Sequence, residues 1–376
     1  MTKQISRKGQ RLFALLLAVA MMFSVMPMSA FAVTSTNVNE DGYIEVYTVE
    51  DLYSVRYDLT ANYILMNDID LTIATAKGGD WDFMGNGWNP IGSDDVYGNG
   101  AFEGIFDGNG NTITGMRIDL KFRSVPSGTT DVYLGLFANV AGTVKNLTLT
   151  EGSISYNELN QFRIGTVAGT LSGTIENCHT DIDIDIKSLS DRTTFYVGGI
   201  SGLASETAIV NKSSNEGDIS FAHSQGNGSG KSYISGIVGF GNVATNISQC
   251  YNNGNITLVG SVSTVYLSGV SHTANISDSY NSGILDATAT TNTHGEYTYG
   301  IGGTATRCYN IGNAIGGASN YAIASETSTN CFYLDGVGSN NTGSTPLTRG
   351  QLKLSNLYTG FDFDNVWVMD TEAVYL

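Results

Sequence analysis

Four carboxylates, Asp94, Asp95, Glu103 and Asp107, gather in a stretch that also carries Trp81 and Trp88. Two carboxylates flanking a glycosidic bond, with an indole to hold the sugar, are the parts of a carbohydrate-cleaving site. The same oxygens could hold Ca²⁺ weakly, although EF-hand spacing is absent. Turn formation accounts for them more simply, since Asp107-Gly108-Asn109-Gly110 is a strong turn signal between two strands. The four histidines, His179, His223, His272 and His294, precede Thr, Ser, Thr and Gly. No HExxH zinc helix is therefore present, and no nucleophile elbow stands at a strand–helix junction. The residue types thus supply no catalytic or metal motif, and the expectation is a non-enzymatic protein without a cofactor.

Repetition is the stronger signal. Ser213-Ser-Asn-Glu-Gly217, Cys250-Tyr-Asn-Asn-Gly254, Ser279-Tyr-Asn-Ser-Gly283 and Cys308-Tyr-Asn-Ile-Gly312 share one phrase. Upstream of each stands a second: Tyr196-Val-Gly-Gly199, Tyr233-Ile-Ser-Gly236, Tyr266-Leu-Ser-Gly269 and Tyr297-Thr-Tyr-Gly300. The last Gly of the second phrase recurs after 37, 33 and 31 residues. A fixed order of signals at that period is one unit stacked on itself. Each unit reads as three short strands and three corners, as in Ser232–Phe240, Asn246–Cys250 and Asn255–Val259. Three strands per coil make a parallel β-helix, with about seven units beginning near Val132, Phe162, Tyr196, Tyr233, Tyr266, Tyr297 and Tyr321.

Stacked coils place like residues in files. Asn215, Asn252, Asn281 and Asn310 would form a buried amide ladder, each donor meeting the acceptor of the next rung. Gly217, Gly254, Gly283 and Gly312 would supply positive φ at the same corner. Tyr251, Tyr280 and Tyr309 form one aromatic file, and Phe162, Tyr196, Tyr233, Tyr266 and Tyr297 a second. Such files act first as staples between rungs. Their sharper role is a flat platform for sugar rings or a partner's side chains. Tyr251, Tyr280, Tyr309, Trp81 and Trp88 are the candidate ligand-binding residues. Asp181-Ile-Asp-Ile-Asp-Ile186 alternates with period two and reads as a half-buried strand, not a catalytic cluster.

The four cysteines share one place in the unit, which Leu147, Ser213 and Ser279 fill elsewhere. Rungs lie ~4.8 Å apart, so a cysteine two rungs away is beyond disulfide reach. Cys178 and Cys250 should be free thiols. Cys308 and Cys331 fall on adjacent rungs and are the one candidate bridge.

Lys3, Arg7, Lys8 and Arg11, then the apolar run Leu12 to Phe23, then Ala30-Phe31-Ala32, fit a signal peptide over residues 1–32. The net charge is −17, with 18 basic against 35 acidic residues. Such a surface disfavours nucleic acid and anionic lipid. Forty-six glycines and 20 tyrosines against four prolines suit strands and tight turns. Residues 33–46 read as a tail. Residues 47–129 read as an N-terminal cap and first rungs, opening on a helix over 49–58 behind a Thr48/Asp51 capping box. Repeated rungs follow over 130–335. A C-terminal cap over 336–376 opens on a Thr348/Gln351 box and ends in a strand over 361–369.

Several phrases resemble GLUG-motif proteins: Asp68-Ile-Asp-Leu71, Trp88-Asn-Pro-Ile-Gly92, Phe102-Glu-Gly-Ile-Phe-Asp-Gly-Asn-Gly110, Gly135-Leu-Phe-Ala-Asn-Val-Ala-Gly142 and Gly360-Phe-Asp-Phe-Asp-Asn-Val-Trp367. The resemblance implies a secreted or surface bacterial protein with a right-handed parallel β-helix. Such segments accompany adhesins and the non-catalytic part of IgA-directed metallopeptidases. The function expected is adhesin-like binding of a glycan or protein on a host or bacterial surface. A carbohydrate-active enzyme on the same fold, or a structural spacer, are the alternatives.

Overall fold

The structure is a computed structural model. It describes residues 37–93, 100–121, 131–157, 161–188, 194–223, 230–260, 264–290, 295–317, 319–324, 327–339, 343–369 and 374–376. The signal-peptide segment and Asp94 and Asp95 lie outside these residues.

The chain is a parallel β-helix. One coil shows the plan. Lys231–Ser235 joins a seven-stranded sheet, and Val238–Gly241 joins a four-stranded sheet. Asn246–Ser248, Tyr251–Asn252 and Ile256–Gly260 then run in a long third sheet. Each strand but Val238–Gly241 pairs in parallel with its counterpart in the coils on either side; Val238–Gly241 ends its sheet, pairing with Ser201–Ala204 and meeting the next coil through a Val238–Ser271 bridge. The expected strand over Ser232–Phe240 is thus two strands in different sheets, broken at Gly236-Ile237. Upstream, the long sheet carries unbroken strands, Thr143–Asn157 and Thr174–Ser188.

Alternation sets what is buried. Val144, Ile175, Val210, Ile247, Ile276 and Ala305 form one in-register inward file. All six are at most 1% exposed. Asp181, Asp183 and Asp185 point out while Ile182, Ile184 and Ile186 are buried, as period two requires. The strands flanking the Asp107–Gly110 turn, Ile105–Asp107 and Thr112–Thr114, do not pair with each other. Both pair with Thr143–Asn157, so the turn is a corner of a coil, not a hairpin.

Both ends carry helical turns. The Thr48 hydroxyl accepts the Asp51 amide and the Asp51 carboxylate accepts the Thr48 amide, each at 3.1 Å. This box opens the α-helix Val49–Ser54, which continues as a 3-10 turn to Tyr57 and buries Leu52 and Val55. At the other end Thr348 and Gln351 also close a box, but two 3-10 turns follow instead of an α-helix. The strand expected over 361–369 shrinks to Val368–Met369, antiparallel to Val374–Tyr375. The Asp362 carboxylate accepts the amides of Asp364 and Asn365 at 3.0 and 3.1 Å, which curls the chain into a turn.

The amide ladder is present. Asn215 donates to Asn252 at 2.9 Å, Asn252 to Asn281 at 2.8 Å, and Asn281 to Asn310 at 2.9 Å. Each Nδ2 also donates to the carbonyl of the Gly two residues on, at 2.8–3.0 Å. All four amides are fully buried. The role expected for the glycines is corrected. Gly217, Gly254, Gly283 and Gly312 do not have positive φ. They are required by close approach, since a Cβ on Gly254, Gly283 or Gly312 would strike the carbonyl oxygen of the glycine one rung below. The left-handed residue of each corner lies earlier: Asn146, Asn177, Lys212, Gln249, Asp278, Arg307 and Asn330, with φ between 48° and 53°.

Candidate binding flank

The aromatic files repeat one ring per rung on the outer side of the strands, so they are the place to look for binding. The first file, Tyr251–Tyr280–Tyr309, is in register and stacked, with centroids 4.9 and 5.0 Å apart and planes within 12°. Phe332 extends it by one rung. The C-terminal segment folds against it. Trp367 packs on Tyr280 and Tyr309, and the Tyr309 hydroxyl donates to the Val374 carbonyl. Tyr280 and Tyr309 are consequently 4% and 0% exposed, and Tyr251 alone keeps an open edge.

The two tryptophans are apart from this file. Trp88 is 1% exposed and its indole N–H donates to the Leu136 carbonyl, so it is a core residue rather than the ligand-binding aromatic expected. Trp81 is half-buried against Tyr53, with centroids 3.9 Å apart. Of the acidic group, Glu103 is exposed. Burial pushes the Asp107 carboxyl up, but bonds from Asn146, the Asn109 amide and Lys145 outweigh it and hold the group below the usual carboxylate range. Asp107 is thus a turn-capping anion rather than a proton donor. Among the described residues no cluster of three or more His, Cys, Asp or Glu could hold a metal ion.

The second file differs from expectation at its foot. Phe162 points inward, over Val132 and stacked on Phe195 at 4.5 Å. Arg163 occupies the outward position, between Tyr133 and Tyr196. Placing Phe162 in line with Tyr196 is one residue out of step, since Arg163 pairs with Tyr196, and on a strand one residue exchanges the two faces. The true file is Tyr133–Arg163–Tyr196–Tyr233–Tyr266–Tyr297. Arg163 bonds Asp131 at 2.6 Å, with Tyr133 and Tyr196 centroids 5.0 and 5.9 Å from its guanidinium. The four upper rings stack at 5.6, 5.1 and 5.3 Å, with planes within 13°. Their faces meet one another, so the file turns ring edges and hydroxyls outward.

A parallel file stands beside it on the four-stranded sheet: Asn139, Thr170, Leu203 and Phe240. Phe240 meets Tyr233 at 4.8 Å and Tyr196 at 5.9 Å, each edge to face. Tyr233 and Phe240 both point outward from successive strands of one coil, yet their rings touch. The outer faces of the two sheets therefore converge, and the flank is concave. Asn139, Thr170, Leu203 and Phe240 also line a cavity of about 360 Å³ with Ser172 and Asn242. The Thr170 hydroxyl donates to Asn139 Oδ1. His272 closes the far side, 4.1 Å from Tyr266 and 5.1 Å from Tyr233. Burial pushes its imidazole down to about 4, and the Lys231 charge adds to this. It is neutral at pH 7.

The cysteine file is confirmed and is not part of the flank. All four thiols are buried and free, including Cys308 and Cys331. Each donates to the carbonyl two residues before it, at 3.2–3.4 Å. Ser213 and Ser279 make the same bond at 2.8 Å, which explains why the place accepts either residue. Burial pushes Cys178 and Cys250 up to about 12.

No family model matches the chain. A stretch of 178 residues, 46% of the chain, is 31% identical to halomucin of Haloquadratum walsbyi, and spans only 2% of that protein's length. A crystal structure of a "putative immunoglobulin A1 protease" from Bacteroides ovatus covers 90% of this chain, and 93% of that one, at 16% identity and a TM-score of 0.46. A second solved structure, named IgA1 Protease, covers 79% of this chain and 22% of that one at 14% identity and a TM-score of 0.47. Both scores are low, and neither neighbour's activity transfers to this chain.

Proposed function

We propose that this chain is a non-enzymatic, secreted or cell-surface β-helix that binds a surface glycan in the manner of an adhesin. The observation that carries the reading is the concave flank. It sets a file of tyrosine edges beside Leu203 and Phe240 and leaves both in reach of solvent. Tyr196, Tyr266, Tyr297 and Phe240 are half-buried and Tyr233 is buried. Partly open aromatic files with interspersed hydroxyls suit ligands that are part apolar and part hydroxylated. The signal-like N-terminus, the net charge of −17 and the GLUG-like phrases agree with an extracellular setting. So does the partial likeness to halomucin.

The test is binding of the purified, labelled chain to intact bacteria, epithelial cells and immobilised glycoproteins. Saturable binding is expected, and the double variant Leu203→Asp, Phe240→Asp should abolish it while circular dichroism stays that of the parent. Absence of saturable binding to every surface would overturn the reading. Equal binding by the double variant would remove the flank from it.

A further inference from the structure

We infer that the concave flank holds an uncharged linear glycan laid along the axis of the stack, with one sugar unit per rung. This rests on the surface-binding reading above and specifies its ligand. Three relationships support it.

First, the direction is set by the files. Tyr133–Arg163–Tyr196–Tyr233–Tyr266–Tyr297 and Asn139–Thr170–Leu203–Phe240 run side by side across successive rungs. The cavity beside Phe240 spans four rungs of the second file. The two files share four rungs, Tyr133 with Asn139, Arg163 with Thr170, Tyr196 with Leu203 and Tyr233 with Phe240. The tyrosine file continues alone through Tyr266 and Tyr297, so a ligand lying along the stack meets a ring edge at successive rungs. Equal steps of 5.1–5.6 Å between ring centroids favour a polymer that also repeats in equal steps.

Second, the chemistry is that of a sugar. The ring faces of Tyr196, Tyr233, Tyr266 and Tyr297 are spent on each other. What remains is a row of edges and phenol hydroxyls, and among the described residues none of these four hydroxyls has a protein partner. Leu203 and Phe240 supply apolar contact for C–H faces, while Asn139 and Thr170 are bonded to each other and the Asn139 Nδ2 to the Gly100 carbonyl. A peptide is less well served. On this flank Val238–Gly241 is an edge strand, at the end of the four-stranded sheet, and its next-coil side is already bridged to Ser271 and bonded to the Val270 carbonyl, which leaves little room for strand addition.

Third, charge excludes polyanions. The chain carries −17, and Arg163 in the trough is already paired with Asp131 at 2.6 Å. Lys231, exposed near His272, is a single cation set against that net charge, so sulfated or uronate-rich glycans would meet net repulsion.

The experiment measures affinity by calorimetry for cello-, manno- and N-acetylglucosamine oligomers, from monomer to octamer. In one series affinity should climb about fivefold per added unit, the effect of one hydrogen bond, and level off near the hexamer. The quadruple variant Tyr196→Phe, Tyr233→Phe, Tyr266→Phe, Tyr297→Phe keeps the stack. It should unfold at the parent's temperature within a few degrees yet bind the hexamer at least tenfold more weakly. Affinity that is flat from the monomer upward, tighter binding of heparin or polygalacturonate, no binding in any series, or unchanged binding by the quadruple variant would each overturn the inference. Cell binding that survives while these fail would leave the surface-binding reading standing with another ligand.

Discussion

The side-chain amide of Asn252 lies against the bare Cα of Gly236, from the opposite wall of the same coil. A Cβ on Gly236 would run into the Asn252 amide carbon and the Gly269 carbonyl oxygen. The same holds for Gly199 with Asn215, Gly269 with Asn281 and Gly300 with Asn310. The two repeated phrases are therefore one packing unit: the Asn needs the Gly across the core, and the Gly makes room for the Asn. Gly236→Ala should cost several kcal/mol, since neither backbone nor a buried amide yields cheaply. Asn252→Ala strands the Asn215 donor, the Asn281 acceptor and the Gly254 carbonyl, and should cost about 3–5 kcal/mol. Chemical unfolding of both variants measures this; a loss under 1 kcal/mol for either would contradict the pairing.

The corner glycines separate two explanations cleanly. If Gly254 were present for positive φ, Asn would replace it tolerably, because Asn visits that region. It is present for space, so Gly254→Asn and Gly254→Ala should be equally damaging. Gln249, at φ 52°, is the residue that pays for the left-handed conformation. Gln249→Asn should raise stability by about 0.5–1 kcal/mol, seen as a higher melting temperature. A stabilising Gly254→Asn would reverse the assignment.

Much of this fold could be read from residue order alone. The period, the files of Asn and Cys, the capping box at Thr48 and the alternation at Asp181–Ile186 all follow from local rules that stacking repeats without change. What was not legible depends on contacts across the coil. Nothing local distinguishes a glycine held by φ from one held by a neighbour's carbonyl. Phe162 and Arg163 are adjacent in sequence, and only the pairing with Tyr133 and Tyr196 decides which faces out. The cover over Tyr280 and Tyr309 comes from Trp367 and Val374, far along the chain. The wall made by Leu203 and Phe240 follows a repeated phrase, Gly199-Ile-Ser-Gly-Leu203 and Gly236-Ile-Val-Gly-Phe240, but its outward residue changes type at every rung, so no file of like side chains marks it.

Thiol chemistry should report the cysteine file. With Cys178 and Cys250 pushed up to about 12 and all four thiols buried, the folded chain should be inert to Ellman's reagent at pH 8. Four thiols per chain should react once it is unfolded. Cys250→Ser should stay within about 1 kcal/mol of the parent, because Ser makes the same bond at Ser213 and Ser279. Fewer than four reactive thiols after unfolding would show a bridge.

Acid should loosen the flank through His272. Its imidazole titrates near about 4 in the folded chain, against about 6.5 when unfolded. The unfolded chain takes up this proton first as pH falls. The contribution is therefore intact above the unfolded value, is lost progressively down to the folded one, and does not change below it. Its size is roughly 3–4 kcal/mol at most, less whatever solvent reaches the ring. His272→Phe keeps a ring beside Tyr266 and removes the proton. Urea midpoints against pH should fall less steeply for the variant in that window; parallel curves would clear His272 of the effect.

The amide ladder has a polarity, since every Nδ2 donates toward the rung that follows. Asn252, Asn281 and Asn310 are spaced by 29 residues each time. A coil cut out or duplicated at that length would present its neighbours with the same donor on one side and the same acceptor on the other. The rod can thus lengthen or shorten in evolution by whole coils without inventing a new joint. The reach of its trough would change in the same increments.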